Sequence, residues 1–508
     1  MDWGLNFLSV TAPRSITLLV RHAYVLTMDD AGNIIEDGAI AIDGGRIVAV
    51  GDDATIAARY SAARVIDAHG APVHPGLVEC HLHASFQVFR GSLPDQLVET
   101  DAFDTFESVF FNTVNDEEEY LACLLASMEM IRNGTTCFLE AGTVLTPDMA
   151  ARAAEKVGIR AVISDAFIWD QPQGMAQGMT LGAEGAHLAD CPGCAAAAKA
   201  HPVLERAPRT REEAVRCMGT ELRRNADPDA LVTGHVAILG LGTASETLML
   251  AAKEKADAAN VILNLHQSYS PADTEADRQR FGGKDPLVHL AEIGFLAPNV
   301  TFGHANHLTD AECDRIVEFG PNLAWAPAAS MMWGHGGSIH GRHAELWRRG
   351  ANVALGSDSA NWSNSFDLFR QANLAVLSAR DAHHDRTFLV AEDGLRMATR
   401  AGATAAGLGT VVGSIEAGKR ADIVIHTLAR PEMIPTTSMI RNLFYASGSK
   451  SVDTVIVDGK VVLDGGVFAK LDERALLMAI NEASLALLSR MGKYPSEPNR
   501  IPRTFRPI

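Results

Sequence analysis

HPGLVECHLH, residues 74–83, is an apolar run that ends on two histidines, His81 and His83. In a strand alternate side chains share a face, so both imidazoles can be presented to one ion at the strand's end. Such a pair alone is as readily structural as functional. Three later apolar runs finish in the same manner, NVILNLH on His266, NVTFGH on His304 and ANVALGSD on Asp358. Catalytic groups of parallel barrels lie at the C-terminal ends of their strands, so this recurrence predicts a barrel with a metal-binding mouth.

Working outward, the runs APVHPGLVE, GTTCFLE, GIRAVISDA, LVTGHVAI, NVILNLH, NVTFGH, NLAWAP and ANVALGSD supply eight candidate strands separated by helical segments. That alternation is the signal of repeated βα units, and it predicts an α/β chain folded as a (β/α)8 TIM barrel. Both flanks have a different texture: short alternating runs from about Thr17 to Ala71, and again from about Gly413 to Val467. Pairing them gives one small β-sandwich built from both chain ends. The expected division is residues 1–71 and 413–470 for the sandwich, 72–412 for the barrel, and 471–508 for a C-terminal helix and extended, proline-rich tail. The Gly- and Ala-rich stretch 168–226 is read as a partly helical insertion over the active-site end.

Composition narrows the class. A chain of 508 residues with 47% hydrophobic content can bury a large core, and no apolar run approaches the roughly 18 residues that a membrane helix needs. A net charge of -18 disfavours nucleic acid, because phosphate binding requires clustered Lys and Arg. The first residues lack a secretory signal's basic and apolar segments, so a cytoplasmic location is expected. Seven scattered cysteines suit reduced thiols, with Cys191 and Cys194 read as incidental members of a turn. The expected partner is a small-molecule substrate, and the extended tail suits contact between subunits of a homo-oligomer.

HPGLVECHLH, the FRG that follows it, MIRNGTTCFLEAG, GHANHLTDAE, LGSDSANWSNSFDLF and GSIEAGKRADIVI together resemble the amidohydrolase superfamily. The likeness covers nearly the whole chain and points to the branch of cytosine deaminases, adenosine-analogue deaminases and triazine chlorohydrolases. It implies that His81, His83, His266 and Asp358 hold one divalent ion, zinc first, with iron, cobalt and manganese as alternatives. It also implies that Asp358 moves protons for an ion-activated water and that His304 touches water or substrate. His307, in the same motif, is the competing candidate for substrate contact.

One position departs from that branch. Its deaminases and chlorohydrolases usually carry a glutamate three residues after the strand-five histidine, to exchange a proton with a ring nitrogen. Here the sequence is His266-Gln267-Ser268-Tyr269. A phenol with an ordinary pKa of about 10 donates a hydrogen bond but shuttles protons poorly near pH 7. Attack on a carbonyl needs only oxyanion stabilisation, so Tyr269 points to a urea, carbamate, thiocarbamate or amide. HQSY, APAASMMWGHGGSIHGRHAEL and SDSANWSNSFDLF are similar to phenylurea and molinate hydrolases. The alternative is deamination or dechlorination of a pterin, purine or triazine, with another acid such as Glu140 replacing the glutamate. Gln267, Tyr269, His307, Trp333 and Trp362 are the expected substrate contacts, Met331 and Met332 extend the apolar wall, and His335, His340 and His343 are read as solvated loop residues. A non-catalytic scaffold would be expected to lose a ligand, and all four are present.

Overall fold

The computed structural model describes residues 12–93, 95, 106–171, 207, 208 and 210–492. The Cys191 and Cys194 pair, most of the 168–226 insertion and the C-terminal tail lie outside the described residues. Within them the barrel is present, with parallel strands at Leu77–His83, Thr135–Glu140, Arg160–Ile163, Val232–Gly234 continued by Val236–Gly240, Leu263–Gln267, Val300–His304, Asn322–Trp325, and Val353–Leu355 continued by Asp358–Ser359. All eight runs proposed from sequence contribute to it.

The fourth and eighth strands each break once and pair with one neighbour before the break and the other after it. Val232–Gly234 lies beside Arg160–Ile163, while Val236–Gly240 lies beside Leu263–Gln267. Likewise Val353–Leu355 pairs with the seventh strand and Asp358–Ser359 with the first. At the second break the Ser357 N–H, lost to the ladder, donates to the buried Glu79 carboxylate at 2.8 Å. The same oxygen accepts from the His81 N–H at 3.1 Å, so Glu79 ties the first strand to the eighth immediately below the metal-ligand candidates.

Helices follow the strands, and local sequence sets their ends. Asp116–Arg132 starts at a capping box between Asn115 and Glu118, and Asp310–Phe319 at one between Thr309 and Glu312. The described part of the long insertion contributes Arg211–Cys217 and a 3-10 turn, Thr220–Ala226. The Asp165 carboxylate, beyond the third strand, accepts from the Gly219 and Thr220 N–H groups and anchors that return. None of the described helices is long and apolar enough to cross a membrane.

Both flanks meet in one small β domain, a continuous nine-stranded sheet. Its middle is the point where the ends join: Pro72–Pro75 runs parallel to Arg14–Leu26 on one side and antiparallel to Ile423–His426 on the other. The inner face buries Leu18, Val20, Ile40 and Ile42 from one end of the chain with Ile423, Ile425 and Ile456 from the other. The stretch APVHPGLVE, read as one barrel strand, is therefore two: Pro72–Pro75 belongs to the outer sheet and Leu77 opens the barrel. Gly76 makes the transition because a Cβ there would sit 1.9 Å from the Thr136 hydroxyl.

Barrel and outer sheet are joined by a buried ion pair. The Arg160 guanidinium donates two hydrogen bonds, of 2.9 and 3.1 Å, to the Asp422 carboxylate. Their side chains are only 4% and 1% exposed, which makes the pair dependent on both members. Removing one leaves an uncompensated buried charge, so Arg160→Ala is expected to lower unfolding free energy by about 3–5 kcal/mol. Urea denaturation measures this, and an unchanged midpoint would show that the pair does not hold the two units together.

Candidate active site

Imidazoles from the first, fifth and sixth strands converge at the C-terminal mouth of the barrel. His83 and His266 point their Nε2 atoms at each other across 3.1 Å. The His81 ring lies 5.3 Å from that of His83, 4.7 Å from His266 and 4.6 Å from His304, edge to face in each case. Asp358 completes the group, with Oδ1 at 3.6 Å from His83 Nε2 and Oδ2 at 3.9 Å from His304 Nε2. Two triads of ligand atoms, His81-His83-His266 and His81-His304-Asp358, each fall within 4.8 Å.

The outer nitrogens determine what the inner ones can do. His266 Nδ1 is bonded to the Leu239 carbonyl, which can only accept, so the proton is on Nδ1 and Nε2 carries a lone pair. His83 Nδ1 donates to Thr143 Oγ1 at 2.8 Å, and the Thr143 hydroxyl donates in turn to Glu140 Oε1 at 3.1 Å. Two lone pairs facing at 3.1 Å repel unless a cation lies between them. His81 is wholly buried with neither ring nitrogen hydrogen-bonded among the described residues. Burial lowers the pKa of His266 to about 4 and, with the neighbouring imidazoles, holds His81, His83 and His304 well below the usual histidine value. Neutral imidazoles with inward lone pairs and one carboxylate form a donor set that fits a divalent metal ion.

The backbone is shaped around this group. A Cβ on Gly303 would lie 2.7 Å from the His81 ring, and one on Gly356 2.6 Å from His81 Cβ, so both glycines clear space for that imidazole. His304 and Asp358 have positive φ, +69° and +64°, an uncommon conformation for residues with side chains and one that accumulates at functional sites. His304 is held there partly through its carbonyl, which accepts from His343 Nε2 at 2.6 Å while the His343 ring stacks on Trp325 at 4.8 Å.

An open cavity, about 870 Å³ when the solvent space continuous with it is counted, leads to the cluster. His83, His266, His304 and Asp358 line its floor region, with Phe86, Phe111, Phe167, Leu239, Leu241, Tyr269 and Trp362 as apolar or aromatic wall. Glu107 and Asp273 bring two further carboxylates. Of the expected substrate contacts, Tyr269 and Trp362 line this space. Trp333 does not, and instead packs on Trp362 at 4.4 Å. Gln267 donates to Ser268 Oγ and His307 bonds to the backbone of His335, so both are engaged outside the lining. Met331 and Met332 are exposed rather than walling the cavity.

Further expectations change. His343 is fully buried behind His304 and His335 is buried too, whereas the glycine-rich loop suggests solvated histidines; of the three only His340 is exposed. Glu140, weighed as a substitute acid, does not line the cavity: its carboxylate accepts from the Gly142 and Thr143 N–H groups and supports Thr143. Burial raises its pKa to about 7. Thr143, His343 and Glu107 went unnoticed as supporting or lining residues because each acts through a partner distant in sequence. Only the position of Thr143 just past the second strand could have flagged one of them.

Residues 73–462 match the amidohydrolase family. The chain belongs to this family. As an amidohydrolase it is a hydrolase acting on carbon–nitrogen bonds. It is 30% identical over 465 residues to a 5-methylthioadenosine/S-adenosylhomocysteine deaminase of Syntrophobacter fumaroxidans, covering 92% of this chain and 95% of that one. A 5'-deoxyadenosine deaminase of Methanosarcina mazei is likewise 30% identical, with 93% and 99% covered. Among solved structures, an adenosine deaminase from Xanthomonas campestris with bound zinc superposes with a TM-score of 0.80 at 26% identity, over 94% of this amidohydrolase and all of its own chain. A zinc complex of atrazine chlorohydrolase from Arthrobacter aurescens shares the fold, with a TM-score of 0.77 at 21% identity and coverage of 92% and 100%. These relatives favour the heterocycle-deaminase alternative over the urea-type reading drawn from Tyr269.

The hydrogen bond from His83 to Thr143 makes a direct prediction about the metal. Thr143→Val keeps the shape but frees the His83 ring, and apparent metal affinity is expected to fall about 10- to 100-fold. Competition with a chromogenic chelator reads this, and wild-type affinity in the variant would remove Thr143 from the site.

Proposed function

We propose that the protein is a metal-dependent hydrolytic deaminase of a small nitrogen heterocycle, of the adenosine-like class named in its relatives, and that its ion is zinc. The carrying observation is that the cavity above the imidazole cluster is lined by the Asp273 carboxylate as well as that of Asp358, while Glu107 is committed to Trp362 and Asn361. A missing strand-five glutamate argues against ring protonation only if no other acid lines the pocket.

A divalent ion held by the three imidazoles and Asp358 would supply the Lewis acidity that brings the pKa of water towards neutrality. Asp358 accepts the water proton on its carboxylate and returns it to the departing amine. His304, neutral and held by His343 through its carbonyl, offers its ring to the attacking oxygen, and Asp273 is the cavity acid that would protonate the ring nitrogen as it takes up charge and recover that proton from the new hydroxyl as the amine leaves. Phe86, Phe111 and Phe167 keep bulk water away from the reacting atoms.

A second reading, hydrolysis of a urea, carbamate, thiocarbamate or amide, is favoured by Tyr269, whose ring lies 6.0 Å from that of His304 on the cavity wall. There the phenol would donate to a carbonyl oxyanion. Incubating the zinc-loaded protein with 5'-deoxyadenosine, aminopterins, chlorotriazines, aryl ureas and thiocarbamates, followed by product mass spectrometry, separates the readings. Ammonia loss from the aminated heterocycles is the expected result, and Asp358→Asn should lower kcat by about 10²- to 10⁴-fold. Turnover of the carbonyl compounds alone would overturn the deaminase reading and restore Tyr269 as the deciding residue.

A further inference from the structure

We propose that Glu107 is a positioning residue for substrate recognition: it holds the Trp362 indole as the wall on which a planar ring of the substrate stacks. The inference deepens the functional reading above and rests on it for the placement of substrate in this cavity.

Glu107 immediately precedes the short helix Ser108–Thr113 and is buried. Its Oε1 accepts from Trp362 Nε1 at 2.8 Å and from Asn361 Nδ2 at 2.8 Å. An indole has a single polar hydrogen, so this bond fixes the edge of the Trp362 ring, and a carboxylate is a stronger acceptor than a neutral oxygen. The ring is packed by Trp333, with centroids 4.4 Å apart, and by His335 at 5.8 Å. Trp362 is thus held at its edge by Glu107 and packed by two aromatic neighbours, while still lining the cavity.

Three features argue that this restraint serves recognition. Trp362 and Asn361 stand four and three residues beyond Asp358, so whatever fixes them also fixes the wall beside the proton-transferring carboxylate. Glu107 comes from another element, the segment beyond the first strand that also supplies Phe111 to the lining. Phe86, Phe111 and Phe167 contact one another at 5.4 and 4.7 Å and share the lining with Trp362. Aromatic walls favour a flat π-system over a saturated ring of equal size. The implied substrate class is one with an aryl or heteroaryl ring beside the scissile bond.

The test uses the full-length zinc-loaded protein and two probes of equal size, phenylurea and cyclohexylurea, with binding followed by calorimetry. The wild type should bind the flat probe about tenfold more tightly. Glu107→Ala and Trp362→Leu should each reduce that preference to about twofold or less, while Glu107→Gln, which keeps an Oε1 acceptor, retains most of it. On whichever substrate the product panel identifies, Glu107→Ala should raise KM about tenfold and leave kcat within about threefold. Metal content and circular dichroism confirm that each variant is folded, and Trp362→Leu decides the matter if Glu107→Ala is not. Equal binding of the two probes by wild type, or an undiminished preference in Glu107→Ala or Trp362→Leu, would overturn the proposal. Absence of turnover on every compound would instead sink the functional reading, and the calorimetric preference would still decide this one.

Discussion

Two imidazole lone pairs facing each other at 3.1 Å, from His83 and His266, are the constraint to which the rest of this barrel answers. In water each nitrogen would hydrogen-bond to solvent or take a proton. Here burial makes the charged form costly, and the two nitrogens face each other instead. The arrangement therefore has to be imposed from outside the cluster. Leu239, Thr143 and Glu140 commit the outer nitrogens, Gly303 and Gly356 open room for His81, and His343 pins the turn that carries His304. Glu79 completes the frame by stapling the first strand to the broken eighth.

The frame and the pocket belong to different parts of the chain. Ligand candidates stand on strands packed against the core, where a shift in one would disturb its neighbours. The cavity walls come largely from segments beyond the strand ends: Phe86 and Glu107 after the first, Phe167 after the third, Tyr269 after the fifth and Trp362 after the eighth. Such segments vary readily while a scaffold and its ion persist. Similarity over more than 90% of the chain to adenosine-type deaminases is accordingly compatible with Tyr269 standing where those enzymes' wider branch places a glutamate.

Most of the frame was legible because it obeys short-range rules. A strand ending in His-x-His, three more ending in His or Asp, and alternating flanks are patterns within a few residues of each other. What stayed hidden depends on distant partners. Nothing near Glu107 announces Trp362, and nothing in the loop holding His343 announces the His304 carbonyl. The division at Gly76 was missed for a related reason: the apolar run continues through it, and only the approach of Thr136 shows that the chain changes sheets there.

Pro72–Pro75 has one further consequence. This strand leads straight into the pair His81 and His83, yet its antiparallel neighbour is Ile423–His426, far along the chain. During synthesis the early ligands therefore leave the ribosome long before the segment that anchors their strand. A complete ion-binding mouth is an event of late translation, because until then Pro72–Pro75 lacks its Ile423–His426 neighbour and the first barrel strand lacks Asp358–Ser359.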